Sequence, residues 1–217
     1  VRCFGAVKVS NQAQFHPLEF LFSVAMGLKI YENSKVVEIL PNKVKCLSGS
    51  VTAEKIIIAT HFPIINKHGA YPLKLYQHRS YVLAVKDAPD INGMYLEDKE
   101  DGISLRNYKN YLLVGSGGHR TGSKGEGYRA SERFCDNFLP GKEIAYRFAT
   151  QDCMSLDGIP YIGKYSKHSE QLYVATGFNK WGMTSSMVAA DILSDMITGV
   201  KNPYEKEYNK INSKFHE

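Results

Sequence analysis

The stretch Leu172–Ser186, LYVATGFNKWGMTSS, is the part of the sequence from which we predict the fold. Its first residues are apolar and predict a short strand, which Gly177 interrupts. From Thr184 onward apolar residues recur at helical spacing, and Gly199 stands where a helix ends on a left-handed residue. Thr184 or Ser185 is suited to cap the start of this helix. A strand, a glycine turn and a helix amino terminus together favour bound negative charge.

The residues between the two glycines of this stretch are polar or aromatic, and packing gives no reason for exposing them. The sequence TGFNKWGMT resembles the carboxy-terminal flavin motif of FAD-dependent oxidoreductases related to D-amino-acid oxidase, glycine oxidase and sarcosine oxidase. In that family the motif runs beneath the isoalloxazine ring, and the helix dipole stabilises the charge that reduction places there. The resemblance implies that eight residues here contact FAD: Gly177, Phe178, Asn179, Lys180, Trp181, Gly182, Met183 and Thr184.

A second signature of the same family occurs about twenty residues earlier, in DGIPYIG at 157–163. The resemblance implies that Asp157 and Gly158 form a tight turn against the flavin ring. The alternative is an Asp-Gly turn unrelated to a cofactor.

The first 70 residues have the order helix, strand, hairpin, strand. Val36–Leu40 predicts a strand, and Lys55–Thr60 is a continuous apolar run typical of a strand buried on both faces. This order resembles the second half of a glutathione-reductase-type FAD-binding domain. By that resemblance four residues lie near the adenosine and pyrophosphate of FAD: Val37, Ala59, Thr60 and His61. A generic α/β half is the alternative.

The fold class that we predict is α/β (α+β), in three parts. Residues 1–70 form a partial FAD-binding domain, 71–150 a mixed, largely antiparallel substrate domain, and 151–217 a return to the FAD-binding domain with the flavin motif and a tail. In the middle part we expect a long strand at Leu75–Val85 and a helix at Tyr128–Phe138. We interpret the glycine-rich stretch Gly115–Gly127 as a mobile surface turn, because it lacks the helix start and the Lys-Ser/Thr ending of a phosphate loop.

The sequence holds no G-x-G-x-x-G dinucleotide fingerprint, and it begins at Val1. We therefore expect a carboxy-terminal portion of a longer protein, whose amino-terminal FAD-domain segment is its partner. Without that segment we expect the chain to bind FAD poorly and to be inactive.

The resemblance implies oxidation of a C–N bond in an amine or amino acid, with hydride transfer to FAD and with no catalytic side chain assigned. Glycine-oxidase-like enzymes carry a carboxylate-binding arginine where this chain has Asp152. Asp152 favours a cationic substrate or pairs with a neighbour such as Arg147, and Arg79 and Tyr81 are the other substrate candidates. Cys153 is either a site of covalent flavin attachment or a buried small residue.

The composition limits the other classes of function. The four cysteines are widely spaced, which argues against a zinc site and favours a cytoplasmic protein with free thiols. No apolar run is long enough to span a membrane. The net charge of +5 is scattered, so a nucleic-acid partner is not expected. His61, His78 and His119 stay unassigned, with His119 expected to face solvent. A non-catalytic nucleotide-binding or regulatory module is the alternative function.

Overall fold

A computed structural model describes residues 5–65, 69–99 and 102–209. In these ranges the helices are α1 (Pro17–Ala25), α2 (Tyr71–Lys74), α3 (Arg129–Phe138), α4 (Gly182–Thr198) and α5 (Glu205–Tyr208). The strands are β1 (Val36–Leu40), β2 (Lys43–Cys46), β3 (Gly49–Thr52), β4 (Ile56–Ile58), β5 (Leu75–Lys86), β6 (Met94–Leu96), β7 (Ser104–Tyr108), β8 (Tyr111–Arg120), β9 (Ile144–Ser155), β10 (Tyr161–Lys164) and β11 (Leu172–Thr176).

The strands form three sheets. An antiparallel hairpin sheet has the order β1-β2-β3, and a five-stranded antiparallel sheet has the order β6-β7-β8-β5-β9. The third sheet has the order β10-β11-β4, and β11 runs parallel to β4. Because the two strands are parallel, their carboxyl ends lie at the same edge, where open α/β sheets bind ligands. The chain therefore has the mixed α/β and antiparallel composition that the sequence predicts.

One apolar core joins the third sheet to the five-stranded sheet. Ile58 of β4 and Val174 of β11 pack with Leu75 of β5 and Cys153 of β9, all at most 6% exposed. A second core lies under α4 around Ile192, and a third lies under α3. The first core fixes the ends of β5 and β9 against β4 and β11, which sets the geometry of the site described below.

Strand β4 is not buried on both faces as its apolar run predicts. Ile56 and Ile58 are buried, but the side chain of Ile57 is 46% exposed. Within the described residues β4 pairs with β11 alone and is an edge strand. Helix α1 likewise buries none of its residues, although it is rich in Leu and Phe. Strand β4 and helix α1 thus each leave apolar side chains uncovered.

The prediction that the glycine-rich stretch Gly115–Gly127 is a mobile surface turn is wrong for its first half, because that half belongs to β8. Gly117 has φ +69° and coincides with a shift in the register between β5 and β8. A Cβ at Gly115 would stand 2.5 Å from Ser104 Oγ, and one at Gly117 would stand 2.3 Å from Gly127 O. Glycine lets the strand continue through these close contacts to Arg120.

Other predictions fall partly outside the described ranges. The predicted tail contains the short helix α5, and its residues 210–217 lie outside the described ranges, as do residues 1–4. The three-part division at residues 70 and 150 stays a prediction. No helix among the described residues is long and apolar enough to cross a membrane.

Candidate functional site

The site is built at the edge where β4 and β11 end. Thr176, the last residue of β11, donates a hydrogen bond from Oγ1 to the His61 carbonyl, 2.5 Å away. Ala59, Thr60 and His61 are exposed just beyond β4, and His61 has a positive φ of 64°. These three predicted cofactor residues therefore lie beside the start of Gly177–Thr184, which we call the flavin segment.

The flavin segment runs along the free edge of β9. Phe178 forms a bridge with Met154, and the backbone N–H of Asn179 donates to the Cys153 carbonyl at 3.0 Å. Gly177 has φ +69°, so that the chain can turn from β11 onto β9. This places the flavin segment next to Asp152, the residue that directly precedes Cys153 on β9.

Asn179 connects the flavin segment to the Asp157-Gly158 turn. Its Oδ1 accepts from the Ser155 backbone N–H at 3.1 Å, and its Nδ2 donates to the Gly158 carbonyl at 3.0 Å. Its own backbone has φ +54°, a conformation that asparagine tolerates better than most residues. The two signatures that lie twenty residues apart in the sequence are thus joined by one side chain.

The turn itself is held by Asp157. Its Oδ1 accepts from the Ile159 backbone N–H at 3.2 Å and from the Tyr161 hydroxyl at 3.4 Å. Burial, together with the Asp157 carboxylate, raises the pKa of Tyr161 to about 12. Gly158 has φ +75°, the left-handed conformation that such a turn requires.

The amino terminus of α4 is open. The helix begins at Gly182 rather than near Thr184, and no side chain caps it. Thr184 instead donates from Oγ1 to the Trp181 carbonyl at 3.1 Å, so the predicted cap by Thr184 or Ser185 is wrong. A Cβ at Gly182 would meet no heavy atom within 4 Å. No described side chain accepts from the first N–H groups of this 17-residue helix, and Trp181 beside them is 71% exposed.

Two grooves flank this helix end. The smaller, of about 270 Å³, is lined by residues of the Asp157-Gly158 turn, the flavin segment and α4, among them Gly158, Pro160, Phe178, Asn179, Trp181 and Thr184. The larger, of about 630 Å³, is apolar and lies between α1 and α4, lined by Phe15, His16, Phe20, Met183, Thr184 and Met187. Both grooves include Thr184, so the helix end is accessible from two sides.

Val37, the remaining predicted cofactor residue, lies on β1 in the hairpin sheet and is 54% exposed. Ile39 on the same strand packs against the core that contains Ile58. The hairpin sheet is thereby held beside β4.

The three predicted substrate residues do not share a face of the five-stranded sheet. Tyr81 faces α3: its ring lies 4.9 Å from the Tyr128 ring, and its hydroxyl is 3.2 Å from His119 Nε2. Arg79, two residues earlier, is on the same side and donates to Gln151 Oε1 at 3.4 Å. Asp152 is on the opposite side, which we call the open face. The pleat of the sheet separates Arg79 and Tyr81 from Asp152, and His119 is half-buried on the α3 side rather than facing solvent.

Asp152 lies near one lysine and two histidines. Burial raises the pKa of this carboxyl, and the nearby Lys180, His61 and His78 act in the opposite direction. Arg147 is not its partner, because Arg147 forms an ion pair with Glu132 of α3. Asp152 thus connects the end of β4, the flavin segment and β5 electrostatically.

The sequence reasoning missed Arg120 and Tyr76 and left His78 without a role. His78, 9% exposed, is the cross-strand partner of both Asp152 on β9 and Arg120 on β8. The guanidinium carbon of Arg120 lies 5.1 Å from the centre of the Tyr76 ring. Alternation along β5 would have placed Tyr76 and His78 on one face. Arg120 was obscured because its strand passes through three glycines.

Cys153 is a buried core residue. It is 1% exposed, and its Sγ lies 3.6 Å from Thr176 Oγ1. Burial raises the pKa of this thiol, so the unreactive protonated form is favoured. Across the described ranges, no group of three or more His, Cys, Asp or Glu residues is placed to hold a metal ion.

A parallel strand pair that ends beside a glycine turn and a helix amino terminus is an arrangement at which α/β proteins bind anionic groups. The chain belongs to the DAO family of FAD-dependent oxidoreductases, whose model matches residues 2–196. The residues fit FAD, because the helix N–H groups, the space at Gly182 and the exposed Trp181 leave room for an electron-rich ring.

The chain is also similar to proteins of known sequence or structure. A protein of Bacillus subtilis (strain 168), YhfW, provisionally named a Rieske 2Fe-2S iron-sulfur protein, is 36% identical over 97% of this chain and 44% of its own length. L-Proline dehydrogenase from P. horikoshii matches with a TM-score of 0.74 at 18% identity, over 90% of this chain and 60% of that one. Glycine oxidase from Bacillus cereus ATCC 14579 matches with a TM-score of 0.70 at 21% identity, over 87% and 56%. The chain spans about half the length of these proteins.

Proposed function

We propose that this chain is the carboxy-terminal half of a flavoenzyme that oxidises the C–N bond of an amine or amino acid. The observation that carries the proposal is the contact between the flavin segment and β9, which brings an open helix amino terminus and the Asp152 carboxylate to one place. The family is FAD dependent, and glycine oxidase and L-proline dehydrogenase are among the solved structures with this fold.

FAD, when bound, supplies the acceptor for the hydride that leaves the carbon beside the amine. The flavin segment would hold its ring, with Gly182 leaving space and the first N–H groups of α4 stabilising negative charge at one edge. Ala59, Thr60 and His61 would contact the pyrophosphate side, and Val37 the adenosine side.

The residues of the open face act on the substrate. An amine must lose its proton before the neighbouring carbon gives up a hydride. A carboxylate oxygen of Asp152 attracts the ammonium group and can accept that proton, because burial raises the pKa of this carboxyl. His78 is its cross-strand neighbour and lies close enough to act on the carboxylate electrostatically.

A segment that precedes this chain in the longer protein is part of the proposed enzyme. It would supply the glycine-rich phosphate contacts that the chain does not contain, and it would cover the apolar side of β4 and α1. We accordingly expect no turnover by the chain alone.

The name of the Bacillus subtilis relative suggests the electron acceptor. Because the described residues place no metal-binding cluster, a 2Fe-2S centre in the longer protein would be held by other residues. We propose such a centre, in place of oxygen, as the acceptor. The full-length protein should then contain iron and labile sulfide, and anaerobic addition of an amine should produce the electron paramagnetic resonance signal of a reduced cluster. Rapid oxygen consumption by iron-free protein would contradict this.

The visible spectrum of the purified full-length protein tests the main proposal. Flavin bands that bleach anaerobically with an amine or amino acid support it. Flavin bands that dithionite reduces and that no donor in a panel of amines and amino acids reduces would favour the non-catalytic nucleotide-binding module instead.

A further inference from the structure

The sequence contains one Asn-Gly dipeptide, Asn92-Gly93, and it lies in the turn that joins β5 to β6. In such a dipeptide the backbone nitrogen of the glycine follows directly after the side-chain amide of the asparagine, and glycine has no Cβ to shield that nitrogen. Both residues are exposed to solvent, and Asn92 has a positive φ of 49°. The turn therefore combines an electrophilic amide carbon, a neighbouring nucleophilic nitrogen and access to water.

The chain on either side of this dipeptide is held in place. Asn107 Oδ1 accepts from the Ile91 backbone N–H at 2.9 Å, and Asn107 Nδ2 donates to the Pro89 carbonyl at 3.1 Å. The Tyr95 hydroxyl donates to the Ile91 carbonyl at 3.0 Å. These hydrogen bonds fix the flanking residues and leave the dipeptide between them as the exposed part of the turn.

The reacting groups of the dipeptide have no such partners. The backbone N–H of Asn92 donates to Asp90 Oδ1 at 2.8 Å. Within the described ranges, however, no hydrogen bond engages the side-chain amide of Asn92 or the backbone N–H of Gly93. The amide carbon and the nitrogen can therefore approach each other without first breaking a hydrogen bond.

Comparable groups elsewhere in the chain are engaged. The side-chain amide of Asn110 donates to Asp87 Oδ1 at 3.0 Å. In the Asp157-Gly158 turn, the aspartate Oδ1 accepts two hydrogen bonds, and the glycine N–H donates to the Ser155 carbonyl at 3.4 Å. A carboxylate is also a weaker electrophile than a neutral amide. The Asn-Gly turn thus differs from these positions in chemistry, in hydrogen bonding or in both.

We propose that Asn92 is a site of spontaneous deamidation, which converts it to aspartate and isoaspartate. The Gly93 nitrogen forms a bond to Asn92 Cγ, and its proton leaves with the side-chain amino group as ammonia. Water then opens the resulting succinimide ring at either carbonyl, which gives an aspartyl or an isoaspartyl peptide bond. The steps consume one water and release one ammonia, and they need no oxidant or reductant. This proposal does not depend on the proposed function.

The product changes the turn in two ways. It places a second carboxylate beside Asp90, and like charges repel. The isoaspartyl form also adds a methylene group to the backbone next to Ile91, which packs against the core under α3. Among the described residues β6 pairs with β7 alone, so we expect its pairing to weaken. The flavin segment contacts β9 at the opposite edge of the sheet, so the affinity for FAD should not change.

Peptide mass spectrometry of the full-length protein tests the proposal. The native protein is incubated in mildly alkaline buffer, which promotes attack by the backbone nitrogen, and samples are digested with trypsin at intervals. Residues 87–99 form a tryptic peptide whose only asparagine is Asn92, and residues 110–120 form one whose only asparagine is Asn110. Relative to an unincubated sample, the first peptide should become heavier by about one mass unit, and electron-transfer fragmentation should detect isoaspartate in it. The second peptide should keep its mass.

Two variants serve as controls. Gly93→Ala should slow the reaction, because it shields the nitrogen with a Cβ that the exposed Tyr95 ring, 3.4 Å away, can accommodate. Asn92→Gln should prevent the reaction over the same period, since a longer side chain closes the ring less readily. The melting temperature should fall during incubation of the wild type and stay constant in Asn92→Gln.

Two results would overturn the proposal: a peptide 87–99 that keeps its mass, or equal deamidation of Asn92 and Asn110. Deamidation at Asn92 without a fall in melting temperature would overturn the expected effect on β6 while leaving the modification itself established.

Discussion

At the scale of single residues, the site depends on Asn179. The Asn179 side chain joins β9, the Asp157-Gly158 turn and the flavin segment through hydrogen bonds to Ser155 and Gly158. Its backbone has a positive φ in this position. The asparagine stands in a position where most side chains would be strained.

We predict that Asn179→Ala destabilises the full-length protein by roughly 2–4 kcal/mol, from two lost hydrogen bonds and the cost of a left-handed alanine. Asn179→Gly should cost ~1 kcal/mol less, since glycine adopts this conformation freely. Thermal unfolding and the FAD dissociation constant measure the effect. If alanine and glycine behaved alike, backbone strain would not be a factor at this position.

Cys153 leads to a second expectation at this scale. Its thiol is buried, and its pKa is raised, so it is not available as a nucleophile. Acid denaturation of the full-length protein should release all of its yellow colour into the supernatant. Colour retained in the washed pellet would instead indicate covalent attachment.

The raised pKa of the Asp152 carboxyl predicts that the stability of the folded protein depends on pH. Its pKa is raised in the folded state, so the protonated carboxyl is favoured there. This preference contributes to the stability of the folded state at low pH, and the contribution is lost as the pH rises through the folded pKa. Asp152→Asn is neutral at every pH. The melting temperature of the variant relative to the wild type should therefore increase from about pH 4 upward. A difference that does not change with pH would mean that the carboxylate ionises without cost.

At the scale of elements, α4 combines a well-packed body with an open beginning. Ile192 and Leu193 anchor it on the third sheet, whereas Gly182 borders open space. One substitution at Gly182 can therefore separate an effect on helix stability from an effect on cofactor binding.

Gly182→Ala should stabilise the cofactor-free full-length protein by ~0.5–1 kcal/mol, because alanine is the better helix former. The same methyl group would occupy space that we assign to FAD, so FAD affinity should fall by about tenfold or more, as expected for a loss of ~1.4 kcal/mol or greater. Ser194→Ala, an exposed position on the same helix, is the matched control and should leave FAD affinity unchanged. Unaltered FAD binding by Gly182→Ala would mean that the ring does not approach this residue.

At the scale of the whole molecule, two elements carry uncovered apolar surface. Ile57 on the edge strand β4 is 46% exposed, and α1 buries nothing. The chain also covers only 44% of its Bacillus subtilis relative. The amino-terminal segment that we propose above would pack against β4.

Replacing Ile57 tests that inference in the full-length protein. If the side chain is covered there, Ile57→Ala should cost ~2–5 kcal/mol of unfolding free energy, the usual cost of truncating a buried isoleucine. Leu96→Ala, at a position 80% exposed, should cost less than ~0.5 kcal/mol. Equal and small effects would show that the face stays open to solvent.

The sequence by itself determined the features that depend on residues close together in the chain. The strand, glycine turn and helix around Gly177, the Asp-Gly turn and the family were all readable, because propensity and short motifs act over a few residues. For Cys153 the sequence left two alternatives, of which the buried position follows from the tendency of small apolar side chains to lie in the core.

Only the tertiary structure decided which side chains share a face. Arg79, Tyr81 and Asp152 were grouped by chemistry, yet the pleat of one sheet separates them, and a shift of one residue reverses a side chain's direction. Arg120, His78 and Asp152 are far apart in sequence and share one face of the sheet because three strands pair in a specific register. That register depends on long-range packing and on a glycine bulge in β8, which no local pattern in a single sequence specifies.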